Sequence, residues 1–284
     1  MRPAEYSSLQ RAADGASLSA QKTFLWLNIV QLWILSLNAL IAGWNPPDPA
    51  AQRKVAIAVC VLMFIALMIA SALKVGKFDD KWFRARAYAE NIKIAAWLFV
   101  TGRLDEAGFL EKINELNERL PEFAKAVALY HDGGPNITEW MREARKLALP
   151  ERVALYRSQR LDDQLNWYHS KSTFNARKER NWFVALFIIE FVAFGYAVVQ
   201  AWLMWEFNAV GGVAAASAAF IAWMQTKRFS DLGLSYQIAA ADLHGIGEKY
   251  RDIASEDAFG EMVKESEAAI SREHTVWLSR RTAV

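Results

Sequence analysis

Four stretches of the sequence carry almost no charged side chains, and they limit what the chain can fold into. They cover residues 23–47, 55–73, 181–205 and 207–226, and the third contains one charged residue, Glu190. An α-helix needs about 20 mostly apolar residues to cross the hydrocarbon core of a bilayer. Because 23% of the residues are charged while 54% are hydrophobic, the apolar residues must be clustered. The chain is therefore predicted to be an integral membrane protein.

The predicted spans form two hairpins. The first hairpin has spans at about residues 24–44 and 55–73, and the second has spans at about 181–205 and 207–225. Pro46 and Pro47 follow the first span, where they end a helix and begin a turn. Residues 210–222 are mostly Ala, Gly and Val, a composition that also fits a buried helix of a soluble protein.

Basic residues lie on one predicted side of the membrane. They precede the first and third spans and follow the second and fourth: Arg11, Lys22, Lys74, Lys77, Lys81, Arg84, Arg86, Lys171, Arg177, Lys178, Arg180, Lys227 and Arg228. The opposite side has only Arg53 and Lys54. Since cytoplasmic loops are enriched in Lys and Arg, we expect both termini and the central segment to be cytoplasmic.

The whole chain is predicted to be an all-α membrane protein, with long helices that extend from the spans into a cytoplasmic helical bundle. It divides into a first hairpin unit (1–103), a helical connector (104–149) and a second hairpin unit (150–284). The hairpins look like a duplication in the same orientation. An offset of 156 residues pairs Lys22 with Lys178, and later an offset of 152 pairs Ala89 with Ala241. A chance similarity between two apolar hairpins stays open.

Polar side chains inside the spans are candidates for a pore or its gate: Glu190, Asn28, Gln31, Asn38 and Gln200. The three amides of the first span share one helical face, and Gln200 lies near the face of Glu190. A carboxylate at that depth costs a few kcal/mol in lipid, so it lines a wet path or is protonated inside the bundle. In an oligomer, one glutamate per chain would form a ring that favours cations. Amides also bind neighbouring helices to one another, and that alternative is equally open.

Five basic residues between positions 152 and 177 suggest that this part of the chain binds a ligand. An anionic nucleotide or lipid headgroup is one partner for such residues, but the acidic neighbours favour a solvated, salt-bridged face. The residues concerned are Arg152, Arg157, Arg160, Lys171 and Arg177. The sequence contains no catalytic or metal-binding motif, so we expect neither enzyme activity nor a cofactor. The net charge of +2 does not indicate nucleic-acid binding.

Two segments carry a family resemblance. The first is residues 82–93 together with Trp97, and it contains Trp82, Arg86, Glu90 and Lys93. The second contains Tyr156, Arg160, Gln164, Trp167, Tyr168, Lys171 and Asn175. Both resemble the SLATT family, the two-transmembrane effector domains associated with SMODS nucleotidyltransferases and SLOG proteins in bacterial conflict systems. In that family the first pattern follows a transmembrane hairpin and the second precedes one, so the chain resembles two such domains in tandem.

The resemblance implies a function that composition does not give. It implies a membrane effector in the bacterial inner membrane, which acts in an antiphage or conflict system. Such an effector is expected to assemble as a homo-oligomer in the lipid bilayer, to form an ion-conducting pore, and to be gated by a cytoplasmic signal. A nucleotide second messenger or a signalling protein would be the partner. The main alternative is a membrane-anchored scaffold or sensor without conduction, and a small transporter is a second one.

Overall fold

The protein is described by a computed structural model that covers residues 7–119, 121–203 and 209–282. Within these residues every regular element is helical. A π-helical turn, Arg157–Leu161, joins α7 to α8. The helices are α1 (Ser8–Ala42), α2 (Pro49–Gly76), α3 (Phe78–Val100), α4 (Glu106–Arg119), α5 (Pro121–Ala128), α6 (Glu139–Lys146), α7 (Leu149–Tyr156), α8 (Asp162–Leu203), α9 (Val210–Lys227), α10 (Phe229–Lys249) and α11 (Glu256–Thr282).

Three stretches of helix in the described part of the chain are long and apolar enough to cross a membrane. They are Ser8–Ala42, Pro49–Val100 and Leu149–Leu203, and at most 6% of the apolar window in each is buried. These stretches contain the first three predicted spans. The fourth predicted span corresponds to α9, which is not among the three. Residues 204–208, where the third span was predicted to end and the fourth to begin, lie outside the described residues.

The predicted turn between the first two spans is confirmed. Helix α1 ends at Ala42, and α2 begins at Pro49 with Asp48 as its N-cap. The Asp48 carboxylate accepts hydrogen bonds from the backbone N–H groups of Ala50 and Ala51, at 3.3 and 3.0 Å. Such a cap satisfies N–H groups that have no partner within the helix, and a proline in the first turn needs none.

The chain divides into two compact units. The first comprises the residues up to Gln21, then Asp79–Thr173, and the residues from Gly233 onward. The second comprises Lys22–Phe78 and Phe174–Leu232. The boundary between the units falls within α1 and within α8, and both helices continue through it. Each of these helices therefore contributes residues to both units.

The first unit is built around buried aromatic side chains. Trp97 of α3 is fully buried and makes edge-to-face contacts with Trp140 of α6 and Tyr156 of α7, at ring-centroid distances of 5.9 and 5.5 Å. Tyr156 also packs on Phe259 of α11, at 6.0 Å. Each such ring buries a large apolar area and adds a preferred edge-to-face geometry, so this core holds four helices together.

In the second unit, α9 packs closely against its neighbours. A β-carbon added at Gly212 would lie 2.9 Å from the backbone Cα of Leu40 in α1. On another side of α9, Phe220 contacts Trp182 of α8 at a ring-centroid distance of 5.1 Å. The small residues of α9 therefore act as a packing surface, because they permit close approach between helices.

The second helix of each hairpin ends in the same way. Lys77 and Arg228 are the non-glycine residues with positive φ in the described chain, at 44° and 51°. Each is followed by the phenylalanine that begins the next helix, Phe78 or Phe229. A left-handed conformation costs roughly 1–2 kcal/mol outside glycine, so its recurrence at matched positions supports a duplication.

These matched ends correct the predicted offset for the second half of each hairpin. Lys77 and Arg228 are separated by 151 residues, so Ala89 pairs with Ala240 and not with Ala241. With this offset four buried positions of α3 and α10 coincide: Ala85, Tyr88, Ala89 and Ile92 match Tyr236, Ala239, Ala240 and Leu243. The earlier offset was wrong by one residue because apolar helices of low identity give no sharp anchor for alignment.

Candidate functional site

Charged residues of the two family segments meet inside the first unit. Helix α3 supplies Arg86, Glu90 and Lys93, and the π-helical turn supplies Arg160. Asp14 of α1 lies at the exposed rim, and Glu267 comes from α11. We call these six side chains the polar core: Asp14, Arg86, Glu90, Lys93, Arg160 and Glu267. The polar core contains three cationic and three anionic side chains, so it is balanced in charge.

The centre of the polar core is an ion pair between Arg160 and Glu267. Arg160 Nε lies 2.9 Å from Glu267 Oε1, and Arg160 Nη2 lies 2.6 Å from Oε2. The two side chains are only 1% and 4% exposed. The Tyr156 hydroxyl donates a third hydrogen bond to Glu267 Oε1, at 3.0 Å. Paired, parallel hydrogen bonds of this kind fix both the distance and the orientation of the partners.

The local sequence explains how Tyr156 and Arg160 reach one carboxylate. They are four residues apart, which places them on one face of a helix. The π-helical turn that follows Tyr156 and contains Arg160 interrupts an otherwise regular helix from Leu149 to Leu203. Such turns are frequent at functional sites. Pro150 lies in the first turn of α7.

Burial sets the protonation behaviour of the polar core. Burial alone would lower the pKa of Arg160, but the Glu267 carboxylate offsets this and the pKa is raised. Burial raises the pKa of Tyr156 well above its usual value, and the charge of Glu267 adds to the rise. Burial lowers the pKa of Lys93, and Glu90 opposes this only in part. Arg160 and Tyr156 thus keep their protons at neutral pH.

Aromatic residues of the second family segment lie beside the polar core. The guanidinium of Arg86 lies 5.7 Å from the centre of the Trp167 ring, and the ammonium group of Lys171 lies 6.0 Å from it. Trp167 and Tyr168 both contact Tyr236 of α10, at 5.1 and 5.8 Å. Cations over aromatic faces are attracted by the ring quadrupole. These contacts hold α3, α8 and α10 together.

The remaining family residues are also placed. The carbonyl oxygen of Trp82 accepts a hydrogen bond from Ser17 of α1, at 3.3 Å. Gln164 is buried in the first unit. Asn175 is buried in the second unit. The predicted family positions therefore lie largely in the interior. Packing and buried charge account for the residue types found there.

The basic residues of the second segment bind protein groups. Arg152 pairs with Glu256. Arg157 donates to the carbonyls of Tyr250 and Arg251, just beyond the end of α10. The expected salt bridge is present at Arg152, but the expectation of a solvated face was wrong for Arg160, which is buried. A carboxylate on another helix covers Arg160, and sequence neighbours do not reveal that contact.

The sequence analysis missed two residues of the polar core, Asp14 and Glu267, and the buried one of these is Glu267. It belongs to an acidic helix, where it resembles its exposed neighbours. The signal that would have found it is periodicity: Phe259, Val263 and Ile270 are buried on the same side of α11. A carboxylate on an apolar helix face needs a buried partner.

The predicted pore residues do not form one buried cluster in the single chain. Asn38 is buried, whereas Asn28, Gln31 and Gln200 are half-buried and Glu190 is exposed. The Asn28 amide donates to the Phe24 carbonyl of its own helix, at 2.8 Å. Their role in a pore stays a prediction.

The loop at residues 131–136 holds the start of α1. Ser8 donates to the Gly134 carbonyl at 2.6 Å, and its oxygen lies 2.9 Å from His131 Nε2. The Gly133 N–H donates to His131 Nδ1, so Nε2 carries the ring proton and cannot act as a base toward Ser8. Among the described residues that were searched, no group of His, Cys, Asp or Glu is arranged to hold a metal ion.

Comparison with known families accounts for both halves of the chain. Residues 8–153 match the SMODS and SLOG-associating 2TM effector domain 3. Residues 156–277 match the SMODS and SLOG-associating 2TM effector domain 1. No curated protein and no solved structure matches the chain. The two matched regions meet at the end of α7, and the predicted connector at 104–149 lies inside the first of them.

The two matches agree with the resemblance carried by the segments around Trp82 and Tyr156, and together they cover nearly all of the described residues. With the three long apolar helices, they indicate a membrane protein of the effector type. The chain therefore belongs to the SLATT family of SMODS and SLOG-associating 2TM effector domains, and it contains two such domains in tandem.

Proposed function

We propose that the protein is an oligomeric membrane effector that forms an ion-conducting pore in a bacterial conflict or antiphage system. It acts by changing membrane permeability and not by catalysis. Its family membership and its three long apolar helices support an effector that works in the membrane. The pore itself is the step that the proposal adds.

In this proposal four helices cross the bacterial inner membrane. The fourth is α9, whose packing on α1 and α8 suits a span that is covered by other spans. A covered span needs less hydrophobicity than one that faces lipid. Both termini and the first unit lie in the cytoplasm, because Lys and Arg flank the spans on that side.

One observation carries the proposed gating: α8 runs without a break from the polar core to the apolar stretch around Glu190. It begins at Asp162, directly after the π-helical turn that contains Arg160, and it continues to Leu203. A rigid helix that takes part in two sites can pass a displacement from one to the other. A nucleotide second messenger or a signalling protein would act on the first unit and shift α8.

The position of Glu190 supports a pore between copies. It is exposed on the single chain, next to the exposed Phe187, Phe191 and Phe194. A carboxylate that faces lipid costs a few kcal/mol, so this face of α8 is better placed against water or another copy. A ring of glutamates around a central axis would be solvated and would attract cations.

Ion flux from liposomes tests the proposal. Purified full-length protein is reconstituted, and dissipation of a K⁺ gradient is followed with and without the Glu190→Gln substitution. Flux by the wild type that Glu190→Gln alters supports the pore. The control is Glu179→Gln, which makes the same change outside the apolar stretch of the same helix, and it should leave flux unchanged. Wild-type protein that inserts but passes no ions would refute the proposal.

The packing of the second unit favours a second candidate, a membrane-anchored scaffold or sensor. Asn38 and Ser217 are buried, and Gly212 lies directly against Leu40. Such close packing is what a dry, closed helix bundle requires. This candidate predicts no ion flux in liposomes and a cellular function that survives Glu190→Gln.

A further inference from the structure

Helix α10 presents an exposed stripe on the surface of the first unit. We define the α10 stripe as Leu234, Ile238, Ala241 and Gly245, all of which are exposed, with Leu234 at 56% and Ile238 at 55%. Their spacings of four, three and four residues are those of a helix–helix contact seam. A groove between α10 and α11 continues the stripe, and Ala268 of α11 lines it.

The duplication shows what the equivalent face does in the first domain. With the offset of 151 residues, the stripe corresponds to Phe83, Ala87, Glu90 and Ile94 of α3. Phe83 is buried and the other three are half-buried. The same face of the fold is thus covered in the first domain and open in the second.

Asp14 of α1 lies near Glu90 of this face, and a further part of the cover in the first domain comes from the second domain. Arg86, next to Ala87, contacts Trp167 of α8, and Glu90 lies near Arg160. Both of these partners belong to the second family match, residues 156–277. One SLATT domain therefore covers this face of another within the same chain.

We propose that the α10 stripe is a contact surface for a second copy of this chain. Each copy carries two domains of the fold that already covers the equivalent face of α3, so another copy can supply the required cover. Leu234 and Ile238 provide apolar area, and Ala241 and Gly245 allow close approach of a helix. The inference rests on the oligomer of the proposed function and names the surface through which copies assemble.

The mass of the assembled protein in detergent tests this surface. Ile238→Asp places a carboxylate in the centre of the stripe and should convert the oligomer to a monomer. Leu110→Asp is the matched control, because Leu110 is also an exposed aliphatic residue of the first unit, at 47%, and it should leave the mass unchanged. An Ile238→Asp protein with the wild-type mass overturns the inference, and so does a wild type that is monomeric.

Cysteine labelling provides a second measurement in case Ile238→Asp fails to fold. In a Cys60→Ser background, Ile238→Cys should react with a soluble maleimide several-fold more slowly than Leu110→Cys while the protein is assembled. Equal rates overturn the inference. Ion flux is measured on the same samples: flux without protection of Ile238→Cys refutes the surface alone, and protection without flux refutes the pore alone.

Discussion

Replacing Glu267 with glutamine removes one of the two buried charges that hold the π-helical turn Arg157–Leu161 against α11. The substitution nearly preserves the shape of the side chain and leaves an acceptor for the Tyr156 hydroxyl. It leaves the Arg160 guanidinium, which is 1% exposed, without its carboxylate. Breaking a buried pair in this way costs about 3–5 kcal/mol. For a unit of this size, that loss corresponds to a fall of about 10 °C in Tm.

The second step of the experiment is to remove the other charge as well. Arg160→Met combined with Glu267→Gln eliminates the buried cation and keeps the acceptor for Tyr156. Because replacing a buried pair by uncharged groups is often neutral or stabilising, the double variant should recover most of the loss. The polar core then still balances, with Arg86 and Lys93 against Asp14 and Glu90.

Thermal unfolding followed by tryptophan fluorescence measures these differences, since Trp97 and Trp140 lie in the same core as Tyr156. The control is Glu265→Ala, which removes an exposed ion pair between α11 and Lys249 of α10. Exposed pairs contribute little, so the midpoint should hardly move. If the two charge-removing substitutions lower stability additively, the pair is not coupled and the reasoning fails.

Three further predictions concern other parts of the fold, and each is measured as unfolding of the purified protein. Gly212→Ala should lower the free energy of unfolding by about 1–3 kcal/mol because the added methyl group overpacks α9 against α1. Gly211→Ala should be tolerated because its methyl group meets open space. Equal effects of the two substitutions would contradict the packing. Lys77→Gly should stabilise the protein by about 1 kcal/mol because it removes a β-carbon from a left-handed residue. Lys74→Gly, in the last turn of α2, should instead destabilise it, by up to about 1 kcal/mol. Burial lowers the pKa of Lys93 in the folded protein, so between that pKa and 10.5 the unfolded state binds more protons than the folded state. The free energy of unfolding should therefore rise with pH across this window. Lys93→Met should abolish that rise.

The apolar architecture could be read from the sequence because it is local. Continuous apolar stretches and a proline pair each act within a few residues. They predicted the helices around Trp33 and Phe64 and the turn before Pro49. The uneven distribution of Lys and Arg beside the spans also predicted an orientation in the membrane. That orientation stays a prediction.

The polar core could be read only in part. The segment around Arg86 and the segment around Arg160 can each be recognised as a motif in the sequence. The contact between the two segments is long-range, so the sequence does not predict it. Glu267 lies 107 residues from Arg160, and nothing near either residue specifies the pairing. The offset of the duplication failed for a related reason, since only backbone geometry at Lys77 and Arg228 fixes it.

The central claim is that copies of this chain form a cation-selective pore lined by Glu190. The most direct measurement is the reversal potential of purified protein in a planar bilayer under a KCl gradient. The account predicts discrete currents whose reversal potential lies toward the K⁺ equilibrium potential, and a shift toward zero for Glu190→Gln. A membrane that contains the protein and carries no current, or a reversal potential that Glu190→Gln leaves unchanged, would contradict it.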